Sequence, residues 1–167
     1  MNIKNNQKGA GMLEVLVALF ILAVGVLGFV ALQYRAVDAT IEGSYRVQAI
    51  NVARDLSERI RVNRIFYDKY VSELNTPENQ KNYNKDCSST YCTFSEIADF
   101  DVAQVATKAN SMGMTMNIMP CKGNVNGRNC IYVAWGNTSA TDGTGITDCT
   151  NNTSYVSEST CLIMETY

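Results

Sequence analysis

Histidine is absent from this chain of 167 residues, and no dense block of lysine or arginine occurs in it. Without histidine the chain lacks the commonest general base, the usual catalytic triads and most catalytic zinc sites. The net charge of -2 and the scattered basic residues leave no electrostatic footprint for nucleic acid. Only two prolines occur, Pro77 and Pro120, so nothing of that kind interrupts the first 76 residues. Cysteine is missing from the first half, and all six lie between Cys87 and Cys161. That is the distribution expected of an exported domain stapled by disulfides.

What is present begins with "GMLEVLVALFILAVGVLGFVAL". From Val15 to Leu32 there is no charged side chain, yet Glu14 stands at the head of the run. A cleaved secretory signal needs a shorter apolar core and a small-x-small site after it, and neither fits. A plain transmembrane anchor fits the length but leaves Glu14 unexplained. A third reading puts the processing site ahead of the apolar run, after Gly9, with "MNIKNNQKG" as a short leader carrying Lys4 and Lys8.

The helical pattern does not stop at Leu32. In "YRVQAINVARDLSERIRVNR" the apolar positions Ile50, Ala53, Leu56 and Ile60 recur every three or four residues, opposite Arg54, Asp55, Glu58, Arg59 and Arg61. This predicts one helix from Gly11 to Val62, with its first half bare and its second half packed on a domain. Asp55 and Arg59 stand at the favourable four-residue offset. Gly25, Gly28 and Gly43 are its soft points, each costing about 1 kcal/mol relative to alanine.

Residues 67–93 turn polar, with no sustained period, and read as a surface connection. Thr93 and Glu96 form a capping box ahead of "IADFDVAQVATKA", which predicts a shorter second helix with Ile97, Phe100, Val105 and Ala109 towards a core. Three strand signals follow: "MTMNIM", "CIYVAWG" and "CLIMETY". Ile131, Val133 and Trp135 alternate together and are the expected face against the long helix. The intervening Gly, Asn, Thr and Ser tracts read as loops. The fold class is therefore α+β: a long N-terminal helix, a second short helix, a small antiparallel sheet and disulfide-closed loops.

Cys-x4-Cys, Cys-x8-Cys and Cys-x11-Cys lack the close pairs of zinc ribbons, so disulfides are expected and no metal site is. Spacing alone does not settle which cysteines pair. Proximity favours Cys87–Cys92, Cys121–Cys130 and Cys149–Cys161, each closing a polar loop with little core beneath it. Asp142 and Asp148 in "GNTSATDGTGITDC" lack the ligand ladder of a calcium loop, and a solvated loop is the expectation. Asn137, Asn151 and Asn152 open Asn-x-Ser/Thr sequons and are read as incidental composition. Asp99 and Asp101 are the acids an enzyme would offer. Two apart on a helix, they do not share a face, so paired-carboxylate chemistry is unsupported and no enzyme or cofactor is expected.

The spacing of Gly9, four residues, then Glu14 at the head of an apolar helix resembles the type IV prepilin signal. The long helix followed by an antiparallel sheet is similar to the pilin fold. "MLEVLVALFILAVGVLGFVALQ", "ARDLSERIRVNR" and "CIYVAWG" resemble minor pilins of the PilV kind. The resemblance implies a prepilin leader over residues 1–9, cleavage by a prepilin peptidase between Gly9 and Ala10, and N-methylation of Ala10. It implies a transmembrane and assembly helix over 10–32 with Glu14 as its assembly carboxylate, and a periplasmic pilin domain over 33–167. Ala10 departs from the usual Phe or Met at the new amino terminus. The implied partners are the major pilin, other minor pilins, the inner-membrane assembly machinery and inner-membrane lipid. The subunit is implied to wait in the inner membrane before reaching the pilus and cell surface. A type II secretion minor pseudopilin would carry the same N-terminal logic, whereas a membrane-anchored periplasmic adhesin or binding domain would keep residues 1–9.

Overall fold

The computed structural model describes residues 11–124 and 126–166. Helix α1 runs Met12–Val62, followed by a 3-10 turn at Arg64–Phe66, helix α2 at Tyr67–Leu74, a second 3-10 turn at Asn79–Lys81 and helix α3 at Phe94–Ser111. Six strands complete the chain: β1 Met114–Pro120, β2 Asn129–Trp135, β3 Ser139–Asp142, β4 Asp148–Asn151, β5 Ser154–Tyr155 and β6 Cys161–Glu165. The chain divides into two compact units, and the break falls between Gly43 and Ser44, within α1.

Among the described residues the first unit is α1 as far as Gly43. Its helix passes through Gly25, Gly28 and Gly43 without interruption. A β-carbon added at any of the three would meet nothing within 4 Å. No contact among the described residues therefore explains these glycines.

In the second unit, Ala49, Val52, Ala53, Leu56 and Ile60 of α1 are buried, a stripe at helical spacing. Ile50 lies at its margin, half-buried. The stripe joins one apolar core with Tyr70 and Leu74 of α2, Val102, Val105 and Ala109 of α3, and one face of a sheet. That face comprises Met114, Met116 and Ile118 of β1 with Ile131, Val133 and Trp135 of β2, the alternation expected from sequence. Sheet A has the order β1-β2-β6 and is antiparallel throughout, with Met114 opposite Trp135 and Cys130 opposite Glu165.

Helix α3 starts where predicted. Thr93 accepts from the Glu96 amide at 3.3 Å, and its own amide donates to Glu96 Oε2 at 2.7 Å, closing the capping box. It ends at Ser111, two residues before Gly113, whose φ of 72° suits a residue without a β-carbon. Of the residues expected to face inwards, Phe100, Val105 and Ala109 are buried and Ile97 is half-buried.

Two polar tracts differ from expectation. Residues 67–93 are not a plain connection, because Tyr67, Tyr70, Val71 and Leu74 place α2 on the core. Only eight residues long and relying on tyrosines, this helix shows too little period to be seen in sequence. The tract after Trp135 is likewise more than a solvated loop. It forms sheet B, with order β3-β4-β5, in which β3 and β4 run parallel and β4 and β5 antiparallel. The reverse face of β2, with Cys130, Tyr132 and Ala134, packs with Ala140, Cys149 and Cys161 into a second buried cluster.

The cysteines are bonded as Cys87–Cys92, Cys121–Cys130 and Cys149–Cys161. The first closes a polar loop before α3. The third joins β4 to β6, and so one sheet to the other, with Cys149 fully buried. This bond is itself core, not a clip on a loop that lacks one.

Candidate functional site

The N-terminal site is built by the first turn of α1. The Gly11 carbonyl accepts from the Glu14 amide at 2.9 Å and from the Val15 amide at 3.3 Å, so the helix begins immediately ahead of Glu14. Glu14 is the acid of that first turn, where the partial positive charge of unpaired amides favours a carboxylate. Gly9 and Ala10, the expected cleavage and methylation residues, lie outside the described residues.

Beyond Glu14, the side chains from Val15 to Leu32 include more than a dozen large apolar groups, each at least 48 % exposed. Burying a side chain of this kind is worth about 1.5–3 kcal/mol, so the run leaves roughly 20 kcal/mol or more unrealised in water. That exceeds the net stability of about 5–15 kcal/mol typical of a folded domain. The segment is long and apolar enough to cross a membrane, and lipid or other apolar helices are the surroundings that would recover the deficit.

In the second unit, the charged groups nearest the core are already engaged. Arg59 was expected on the solvent face, beside Asp55. It does hold Asp55 at 2.9 Å, but its guanidinium also donates to Asp101 Oδ1 at 2.6 Å and to Gln104 at 3.2 Å. Burial works against the Arg59 charge, yet the hydrogen bonds to Asp55 and Asp101 outweigh it and raise its pKa. The Tyr70 hydroxyl donates to Asp101 Oδ2 at 2.7 Å. Burial first, and that hydrogen bond second, push its ionisation far above the usual tyrosine range. Asn63 donates to the Phe94 carbonyl at 2.7 Å, and the cluster thus ties α1, α2 and α3 together.

Asp99 and Asp101 are therefore not free acids. Asp99 is buried and accepts from the Asn84 amide at 2.8 Å, while Asp101 is shared between Arg59 and Tyr70. Asp142 and Asp148 brace sheet B. Asp142 Oδ1 accepts from Thr150 and from the Asn152 amide, both at 2.8 Å, and Lys122 stands 3.3 Å from Oδ2. Asp148 accepts from Thr141 and from the Gly145 amide. A β-carbon on Gly143 would lie 2.5 Å from Asp148 Oδ2, so a larger residue there would push the bracing carboxylate aside. Among the described residues no group of three or more acids, cysteines or histidines is placed to hold a metal ion. Sequence reading missed the Arg59–Asp101–Tyr70 cluster because its members lie 31 and 42 residues apart.

Two family models match adjoining segments. Residues 4–30 match the prokaryotic N-terminal methylation motif. Residues 31–103 match a family described as type IV pilin Tt1218. Over these residues the chain is similar to type IV pilins. No curated protein and no solved structure matches it. The methylation-motif match spans the expected leader junction and the apolar helix as far as Val30. The Tt1218-like match takes in the remainder of α1, α2 and the first half of α3.

Proposed function

We propose that this pilin is a minor subunit of a type IV pilus, of the PilV kind, that helps initiate or modify the filament. The observation that carries the reading is the junction at residues 9–14: one acid, Glu14, in the first turn of a helix that is uncharged and exposed as far as Leu32. A prepilin peptidase cuts between Gly9 and Ala10 and methylates Ala10. The new amine is carried four residues ahead of Glu14 in the sequence. It is equally available to a neighbour's carboxylate in a bundle of such helices, where buried charge is tolerable once paired. Glu14 thereby favours subunits in register.

Before assembly, residues 10–32 hold the subunit in the inner membrane, with the positively charged leader inside and residues 33–167 in the periplasm. Its partners are the major pilin, other minor pilins and the assembly machinery. Three disulfides favour a surface-exposed pilus component over a secretion pseudopilin. Its work is structural, not catalytic.

Mass spectrometry of the mature amino terminus tests the reading. N-methylated Ala10 is expected; an intact Met1, or a cut after the apolar run, overturns it. Glu14→Leu leaves membrane insertion intact and impairs incorporation into sheared surface filaments, and normal incorporation would remove Glu14 from the mechanism.

A further inference from the structure

The two outer edges of sheet A are treated differently. Cys121 donates to the Arg128 carbonyl, which fixes the odd-numbered residues of β1 as those bonded to β2 and turns Met116 and Ile118 outwards. Those outward groups are capped. Asn75 accepts from the Ile118 amide at 3.1 Å and donates to its carbonyl at 3.0 Å, acting as a one-residue substitute for a strand. Gln80 reaches the Met116 carbonyl at 3.4 Å.

At the other edge, Thr166 donates to the Asn129 carbonyl and Trp135 donates to the Thr160 carbonyl. The even-numbered residues of β6 are thus bonded to β2, and Cys161, Ile163 and Glu165 point their amides and carbonyls away from the sheet. Among the described residues no hydrogen bond to these outward groups is present. Beside this edge lies a groove lined by Arg54, Ser57, Glu58, Arg128, Met164 and Glu165. Glu58 pairs with Arg61 and Glu165 with Arg128, whereas Arg54 has no ion pair among the described residues. Leu162, Ile163 and Met164 stay half-exposed at the rim of the two apolar clusters.

We propose that the outer edge of β6 is a strand-addition site, which takes an extended segment of a different polypeptide carrying apolar side chains and a carboxylate that meets Arg54. Alternating donors and acceptors at strand spacing are complemented by another extended backbone and by little else. Apolar side chains on the added strand would cover Leu162 and Met164 on one face and Ile163 on the other. The unmatched Arg54 charge selects an acidic residue in the same segment. This goes beyond the function proposed above and does not depend on which filament the pilin joins.

The test uses the full chain in detergent micelles and residue-resolved amide exchange by NMR. Alone, the Ile163 and Glu165 amides should exchange at least about tenfold faster than those of Leu162 and Met164. The probe is a short synthetic peptide of alternating valine and threonine ending in aspartate. At saturation it should slow Ile163 and Glu165 by about tenfold, and Arg54→Gln should weaken its binding by about fivefold. The same peptide with alternate backbone nitrogens methylated should do nothing. Equal protection of all four amides in the free chain, or no protection by the unmethylated peptide, overturns the proposal. Protection that grows with protein concentration alone overturns it in favour of a second copy as the occupant.

Discussion

The central strand of sheet A buries every side chain from Cys130 to Trp135, on both faces, whereas β4 of sheet B buries only Cys149 and Thr150 and β5 buries nothing. Sheet A is held by apolar contact along its length. Sheet B is held by one disulfide, two braced aspartates and a handful of backbone bonds. A continuous apolar run makes a strand stable wherever it has layers on both faces. A polar tract becomes a sheet only when its side chains supply the missing bonds, and so it depends on a few individual atoms.

The difference predicts a ranking of losses. Ile131→Ala removes a fully buried side chain between α1 and the sheet and should cost about 2–5 kcal/mol. The lone tryptophan, Trp135, lies in the same core, so its fluorescence during urea unfolding of the full chain in micelles reports the change. A loss below about 1 kcal/mol would mean that apolar packing is not what secures sheet A. The double substitution Cys149→Ser with Cys161→Ser should cost about 2–4 kcal/mol. Its signature is local, since amide protection should disappear from β4 and β5 before β1 and β2. Simultaneous loss from both sheets would erase the distinction drawn here.

The same contrast governs what could be read from sequence. Helix α1 announced itself by its uncharged run and then by a stripe at Ala53, Leu56 and Ile60, and α3 by the pair Thr93 and Glu96, because these signals are local and periodic. The face of β2 bearing Ile131, Val133 and Trp135 was legible from alternation. Its reverse face was not, since Tyr132 and Ala134 are buried by a sheet that the sequence presents as Asn, Thr, Ser and Gly. Helix α2 was hidden because two of its core contacts are tyrosines and its length is barely two turns. Arg59 reads as a solvated charge, and only tertiary structure brings it to Asp101, 42 residues on. At the N-terminal site, Glu14 was evident as soon as the apolar run was. The braces Asp142 and Asp148 could not be separated from a solvated loop, because an acid looks the same in sequence whether or not it accepts hydrogen bonds.

Asp148→Ala sharpens the comparison at smaller scale. It removes the acceptor for Thr141 and for the Gly145 amide, and should cost about 1–2 kcal/mol. Exchange at Gly145 should quicken while Trp135 fluorescence unfolds with nearly its original midpoint. An unchanged Gly145 amide would show that the turn holds without its brace.

Acid gives the finest discrimination, through Asp142. Burial opposes its ionisation, but hydrogen bonds from Thr150, Lys122 and the Asn152 amide, with the Lys122 charge, prevail and hold its pKa below the usual aspartate value. The unfolded chain, with an ordinary aspartate near 3.9, then binds a proton before the folded chain does. The stabilisation is therefore complete above that value and is lost as pH falls through the depressed one. Strands β1 and β2 contain no carboxylate, so amides of β3 and β4 should begin to exchange at a higher pH than those of β1 and β2. In Asp142→Asn the side chain can still accept from Thr150, but it no longer carries a charge for Lys122 to favour. The acid onset in sheet B should move towards that of sheet A, and an onset that does not move would place its cause outside Asp142.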